Sequence, residues 1–306
     1  MRSKEIAEGG LFSGIFAVLL ILTLYTPLGL ISIYLLPVPT IIFGYRNSSK
    51  GGLVVVLVNL LLGQLFAGIY GLFIGLVTGT VGLAMGVLYR RNGSIFALIG
   101  GGLVTIVNLI FVLAISNFLF KVNIVENIKE YLLQSLNTIE AIIKSADPLL
   151  ADQAFTAYQD FFNTIEIIIP FMIITFSVLF TMINYSVSRM ILNRLGTKIE
   201  GLPPFREWTL PKSVFYYYII TIIAMMTPLM EQAVFKTIFA NLYPLLQILF
   251  IIQGLSFVFF YVFQKKKGKA WQVIASICAF IPLLSQVIHL LGIFDLGLNL
   301  RKKLEA

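Results

Sequence analysis

Between residues 9 and 292 the chain returns repeatedly to apolar runs about as long as a bilayer is thick, and this restricts its fold more than any other feature. A spanning helix needs roughly 20 mostly apolar residues. Such runs fall at about 9–26, 28–44, 52–69, 71–89, 94–119, 165–188, 213–230, 242–263 and 271–292. They predict an all-α fold, a polytopic transmembrane helix bundle of eight or nine spans. Composition agrees: 58% of residues are hydrophobic and 12% charged, where soluble domains carry about 25% charged residues. The leading MRSKEIAEGG flows into the first run without a small-residue cleavage site, which predicts an uncleaved first span.

Two stretches depart from simple spans. The second run holds Pro37 and Pro39, which remove backbone donors and predict a kinked or re-entrant segment. Residues 121–166 carry seven acids against Lys121, Lys129 and Lys144. Within them Val125, Ile128, Leu132, Leu136, Ile139 and Ile143 recur at helical steps, Asp147-Pro148 breaks the pattern, and Phe155, Tyr158 and Phe162 resume it. This predicts an external amphipathic helical hairpin over 121–163.

Basic residues set the orientation, because cytoplasmic loops are enriched in Lys and Arg. With the N-terminus inside, the cytoplasmic segments collect Arg2, Lys4, Arg46, Lys50, Arg90, Arg91, the five basic residues of the 189–212 stretch, and Lys265, Lys266, Lys267 and Lys269. The expected location is the bacterial cell (inner) membrane, with the +8 net charge serving topology and not nucleic acid. Arg301, Lys302 and Lys303 fit only if the last run doubles back near Pro282 or Gly292.

YGLFIGLVTGTVGLAMG, residues 70–86, places Gly71, Gly75, Gly79, Gly82 and Gly86 within an arc of roughly 80° at 100° per residue. In lipid no hydrophobic force pulls helices together, so a bare face lets backbones approach and pack. The fourth span is therefore expected to use this face for internal packing. Gly10 and Gly14, with Gly9, Ser13 and Ala17, give the first span a similar groove that suits another subunit.

The chemistry carried by the chain is sparse. There is no phosphate-binding G-x-x-x-x-G-K-[ST] loop, and one cysteine with one histidine, Cys278 and His289, cannot make a zinc site. The chain is expected to be no enzyme and to need no metal or cofactor. The polar residues within spans are amides: Asn59, Gln64, Asn108, Asn117, Asn184, Gln247, Gln253 and Gln286. Amides of this kind join helices by hydrogen bonds or line a solute pocket, and Asn59, Gln64, Asn108 and Asn117 are the candidate substrate-binding set.

The cytoplasmic loop GLPPFREWTLP, residues 201–211, is the least generic connection. Pro203, Pro204 and Pro211 stiffen it, while Phe205, Arg206 and Trp208 suit either interfacial anchoring or a partner. This loop, with Leu210-Pro211 leading into an aromatic-rich span and the terminal GIFDLGLNLRKK, resembles the YybS-like bacterial membrane proteins. That domain is distantly similar to the substrate-binding S components of energy-coupling factor vitamin transporters, six-helix proteins with a separate ATPase and scaffold. The resemblance implies a six-span domain at 1–190 with Gly10 and Gly14 at the scaffold-facing position. The cytoplasmic loop 191–212 and a two- or three-span extension at 213–306 would follow, the extension having no counterpart in S components.

Two functions follow as expectations. One is a solute-binding or transporter-type membrane subunit without its own ATPase, its partners being the lipid bilayer, a small-molecule solute and other membrane subunits. The alternative is a non-catalytic scaffold of the cell envelope.

Overall fold

The computed structural model describes residues 3–121, 123–146, 148–197 and 199–305, with the side chains of 120, 136–164 and 305 outside that description. Every regular element among the described residues is a helix. The order is α1 (Ser3–Tyr25), α2 (Gly29–Ser32), a 3-10 turn at Ile33–Leu35, α3 (Val38–Arg46), α4 (Ser49–Asn92), α5 (Ser94–Phe120), α6 (Ile124–Ala146) and α7 (Pro148–Arg194). After a 3-10 turn at Phe205–Glu207 come α8 (Lys212–Met225), a 3-10 turn at Pro228–Glu231, α9 (Ala233–Gln264), α10 (Ala270–Cys278), α11 (Pro282–Leu298) and α12 (Leu300–Glu305). The chain divides into two units, residues 1–163 with 172–202, and residues 164–171 with 203–306. The 191–212 loop is thus shared between them, changing unit after Leu202.

In unit one, α4 is 44 residues long, and as one rod it would reach about 66 Å, twice the roughly 30 Å of bilayer hydrocarbon. It is not one rod. Ala67 (φ −140°, ψ 20°) and Gly68 (φ 57°, ψ −139°) leave helical geometry, and the chain reverses there into two antiparallel legs, 49–66 and 69–92. Gly68 suits the site because a left-handed φ carries no Cβ penalty at glycine. The glycine face is the seam between the legs. A methyl on Gly71 would run into the carbonyl of Gly63, one on Gly75 would lie 2.6 Å from the Asn59 carbonyl oxygen, and one on Gly79 would crowd Val56. Farther along, Gly82 and Gly86 turn to α3, where a methyl on Gly82 would lie 2.7 Å from the Pro37 carbonyl oxygen.

The Pro37/Pro39 interruption is a true break, with α2, the 3-10 turn and α3 replacing one continuous helix. The seven residues from Val38 to Gly44 are all buried. Irregular backbone at membrane depth is tolerated where protein surrounds it, and here it is packed in the middle of unit one. Ile41, Val81, Met85, Tyr89, Ala97, Phe180 and Tyr185 form one core cluster, and Phe12, Val38, Ile42, Phe43, Val55 and Leu192 another.

One end of unit one gathers its polar termini. Asn47 donates to Glu8 at 2.8 Å, the Ser48 amide to Glu5 at 3.0 Å, and Arg90 to the Asn47 carbonyl. Ser48 also caps α4 by accepting from the Gly51 amide at 3.0 Å. The far end of the first leg is closed by Tyr25, whose hydroxyl donates to the Phe66 carbonyl at 3.0 Å, satisfying one of the orphan carbonyls of a helix terminus.

Unit two is built on α9. Gly254 and Gly292 allow α9 and α11 to touch backbone to backbone, each lying where a Cβ would strike the other helix. Tyr218 of α8, Leu246, Phe250 and Leu296 fill the core between the three helices. The 164–171 stretch of α7 carries Pro170, which cannot continue the hydrogen-bond ladder. Asn241 repairs the break: its Nδ2 donates to the Ile167 carbonyl at 2.6 Å and its Oδ1 accepts from the Phe171 amide at 2.8 Å.

Six described helices, counting α2–α3 together, are long and apolar enough to cross a membrane, or up to seven if α10 and α11, bent by 110° at their break, count as one. This is fewer than the eight or nine expected from sequence. The difference has two sources. The two legs of α4 count once in that tally, and α8, with 14 residues, falls below spanning length. The helical hairpin expected at 121–163 corresponds to α6 and the start of α7. Its break at Asp147 and the stripes through Leu136, Ile139, Ile143, Phe155, Tyr158 and Phe162 lie outside the described residues, while Ile128 and Leu132 are exposed.

Candidate functional site

Of the four amides expected to share a pocket in unit one, two are buried and two are exposed. Asn59, on the first leg of α4, is fully buried and donates through Nδ2 to Thr40 Oγ1 at 3.0 Å. Asn108, on α5, is buried and donates to Thr80 Oγ1 on the second leg at 2.8 Å. Gln64 and Asn117 are exposed. The two buried amides thus cross-link neighbouring helices, a bond worth typically about 0.6 kcal/mol. The side-chain oxygens of Asn59 and of Asn184 are buried and have no described partner.

The glycines behave differently in the two places. Gly71, Gly75, Gly79, Gly82 and Gly86 are consumed by internal contacts. Gly10 and Gly14 face outward, with nothing within 4 Å of a Cβ built on either. On a different side of α1, which there meets α3 and α7, an apolar groove of about 460 Å³ is lined by Leu11, Phe12, Ile15, Val38, Ile42 and Ile191. At the polar end of unit one a cleft of about 520 Å³ is lined by Lys4, Glu5, Glu8, Arg46, Ser48 and Arg90.

In unit two the loop singled out by its sequence closes onto α9 and the tail. Pro203 and Pro204 lead into the single 3-10 turn Phe205–Glu207, and Trp208 Nε1 donates back to the Pro203 carbonyl at 2.9 Å. Phe205 sits edge-on to Trp208 at 5.2 Å and to Phe259 at 5.1 Å. The Arg206 guanidinium lies 3.8 Å over the Phe263 ring. Pro211 then caps α8 in extended conformation. These residues are therefore spent first on their own unit.

The loop is held by a buried polar network. Asp295, on α11, is 4% exposed. Its Oδ2 accepts from Arg301 Nε at 2.9 Å and from Gln253 Nε2 at 2.5 Å. The Gln253 oxygen accepts from the Leu210 amide at 2.9 Å. Arg301 uses its other two nitrogens as well: Nη1 donates to the Arg206 carbonyl at 2.8 Å, and Nη2 to Ser256 Oγ at 3.0 Å. Ser256 Oγ stands 2.7 Å from the carbonyls of both Phe205 and Trp208, and its one proton serves one of them at a time. A charged pair out of water needs such full pairing to offset its desolvation. The outcome is a clasp joining the loop, α9, α11 and the start of α12.

The clasp also fixes the direction of the last helices. Phe250 lies beside His289 at 6.0 Å between ring centres, Gln253 beside Asp295, and Ser256 and Phe260 beside Arg301. Residue numbers climb together, so α9 and α11 run the same way. The chain must turn back between them, and it does so at the break before Pro282. Arg301 therefore lies toward the same end of α9 as Lys265 and beside the 203–210 loop, which resolves the anomaly in the basic residues. His289, also buried, packs edge-on to Tyr218 at 5.3 Å.

Sequence reasoning picked out the loop residues and Gln253 but assigned no role to Asp295, Arg301, Ser256 or Asn241. The available signal was a lone carboxylate in an apolar run, GIFDLGLNLR, six residues before an arginine.

Comparison with known proteins agrees with this picture of a membrane protein. The chain is 29% identical over 307 residues, 99% of each chain, to "Uncharacterized protein YybS" of Bacillus subtilis (strain 168). No solved structure matches, so the expected likeness to transporter S components has no support in known folds. The family described as "Predicted membrane protein (DUF2232)" matches residues 14–296, which takes in the whole 201–211 loop and the tail as far as Asp295 and Leu296: this chain belongs to that family of membrane proteins.

Proposed function

We propose that the protein is a non-catalytic membrane scaffold whose unit one docks a transmembrane helix of a partner protein against the bare Gly10 and Gly14 face of α1. One contrast carries this reading. Inside unit one the glycine ridge and the two buried amides are already occupied by neighbouring helices, while Gly10 and Gly14 stand bare on an exposed side of α1, with nothing within 4 Å of a Cβ at either. Bare backbone is adhesive in lipid only toward another closely approaching backbone, which makes a helix the natural occupant.

The topology that goes with it has eight crossings: α1, α2–α3, each leg of α4, α5, the 165–194 stretch of α7, α8 and α9. The α10–α11 pair enters and returns, leaving both chain ends cytoplasmic in the bacterial cell (inner) membrane. The positive-inside rule supports this, since Lys4, Arg46 and Arg90 line one cleft of unit one and Arg301 lies toward the lysine end of α9. A photo-crosslinking residue at Val18, one turn beyond Gly14 on the same side of α1 and 58% exposed, tests the docking. The expected product is an adduct to a transmembrane segment of one partner, lost on Gly14→Leu. Lipid adducts alone, unchanged by Gly14→Leu, would overturn it.

A second reading, a solute-binding subunit of transporter type energised by an ATPase in trans, has one observation in its favour. The buried side-chain oxygens of Asn59 and Asn184 lack donors, and a polar solute would supply them. Under that reading Asn59→Leu lowers uptake without lowering the amount of protein, and unchanged uptake refutes it.

A further inference from the structure

We propose that the lysine end of unit two is a specific site for an anionic phospholipid, its acyl chain in the groove between α9 and α10 and its phosphate on Lys265–Lys269. The groove has a volume of about 380 Å³, within the range of small-ligand sites, and its apolar wall is made by Phe259, Val273, Ile277 and Phe280 with Lys269 at one end. Val273, Ile277 and Phe280 are 59, 58 and 89% exposed. In a membrane protein such surface faces acyl chains, so the groove opens onto the medium that supplies its occupant.

The turn supplies the charge. α9 stops where Lys266 takes a left-handed φ of 49°, and the Lys267 amide donates back to the Val262 carbonyl at 2.9 Å. That stop bunches four lysines, Lys265, Lys266, Lys267 and Lys269, on one short connection. Among the described residues none of them forms an ion pair with a carboxylate. Lys267 Nζ instead stands 5.3 Å from the Trp271 ring centre and 5.4 Å from that of Tyr261, a position held by cation–π attraction. Trp271, 56% exposed, is the residue type that settles at headgroup depth.

Four uncompensated ammonium groups above an apolar groove select a lipid with net negative charge over a zwitterionic one. A basic residue near an anionic membrane surface contributes about 1 kcal/mol, roughly fivefold in affinity. The intact chain, purified in neutral detergent, would be titrated with phosphatidylglycerol or phosphatidylcholine and the bound lipid counted by native mass spectrometry. The expected result is one phosphatidylglycerol retained at least about tenfold more tightly than phosphatidylcholine. Replacing all four lysines by glutamine should bring the two lipids to parity with the chain still folded. A bulky Val273→Trp should weaken phosphatidylglycerol while leaving the lysines in place. Equal affinities in the unmodified protein, a preference that survives the glutamine variant, or full displacement of the lipid by millimolar inorganic phosphate would each overturn the proposal. The last outcome would mean that the headgroup chemistry alone, from a soluble anion, accounts for the lysines.

Discussion

Removing the Asp295 carboxylate is the most informative single perturbation of unit two. In Asp295→Ala the Arg301 guanidinium, whose side chain is 13% exposed, loses its only described counter-charge but keeps the Arg206 carbonyl and Ser256 Oγ as acceptors. Breaking a buried pair by deleting one member costs about 3–5 kcal/mol. The surviving acceptors place this case at the low end, about 3 kcal/mol, since a hydrogen bond to a charged group is itself worth roughly 1.5–3 kcal/mol. Arg301→Ala should cost more than Asp295→Ala, because it also orphans the Arg206 carbonyl. The replacement of both by alanine removes the charges together and should cost less than the sum of the two single losses. The assay is equilibrium unfolding of the purified chain in mixed micelles, read as a double-mutant cycle. Residues acting as one clasp give an interaction energy of at least about 1 kcal/mol. Additive effects within about 0.5 kcal/mol, or an Asp295→Ala cost below that figure, would refute the reasoning.

Four further outcomes follow from the packing. Gly75→Leu should abolish folding of unit one, because even a methyl there meets the Asn59 carbonyl. Gly14→Leu, with open space around it, should leave the folded yield unchanged, and a fluorescence-detected gel-filtration profile separates the two. Asn241→Leu should destabilise by about 1–3 kcal/mol, since the Ile167 carbonyl and Phe171 amide lose the amide that repairs the Pro170 break. Gly68→Ala should cost about 1 kcal/mol or more for its left-handed φ, visible as a lowered unfolding midpoint.

How far the sequence led depends on the range of the interaction concerned. Local signals sufficed for the two prolines that break the second span and for the glycine ridge, because each acts within one helix and its nearest neighbour. The reversal at Ala67–Gly68 was placed only to within a few residues, since an unbroken apolar run on both sides hides the turn. Unit two was harder. Whether α11 doubles back depends on which end of α9 receives Asp295 and Arg301, a contact more than forty residues away in sequence that no periodicity encodes. The same holds for Asn241, whose role exists only because Pro170 lies against it. For the candidate amides, residue type marks polar groups within spans, but the partner each nitrogen meets, Thr40 for Asn59 and Thr80 for Asn108, is set by the helix packed against it.

The central claim is that the 203–211 loop and the C-terminal tail form one device on one side of the membrane. Cysteine accessibility tests it most directly. In a Cys278→Ser background, single cysteines at Thr209, Lys303 and Lys236 would be labelled in sealed right-side-out vesicles with a membrane-impermeant maleimide. The account predicts that Thr209→Cys and Lys303→Cys are protected together and labelled only after permeabilisation, while Lys236→Cys, at the opposite end of α9, reacts at once. Labelling of the loop and tail positions from opposite faces would contradict it.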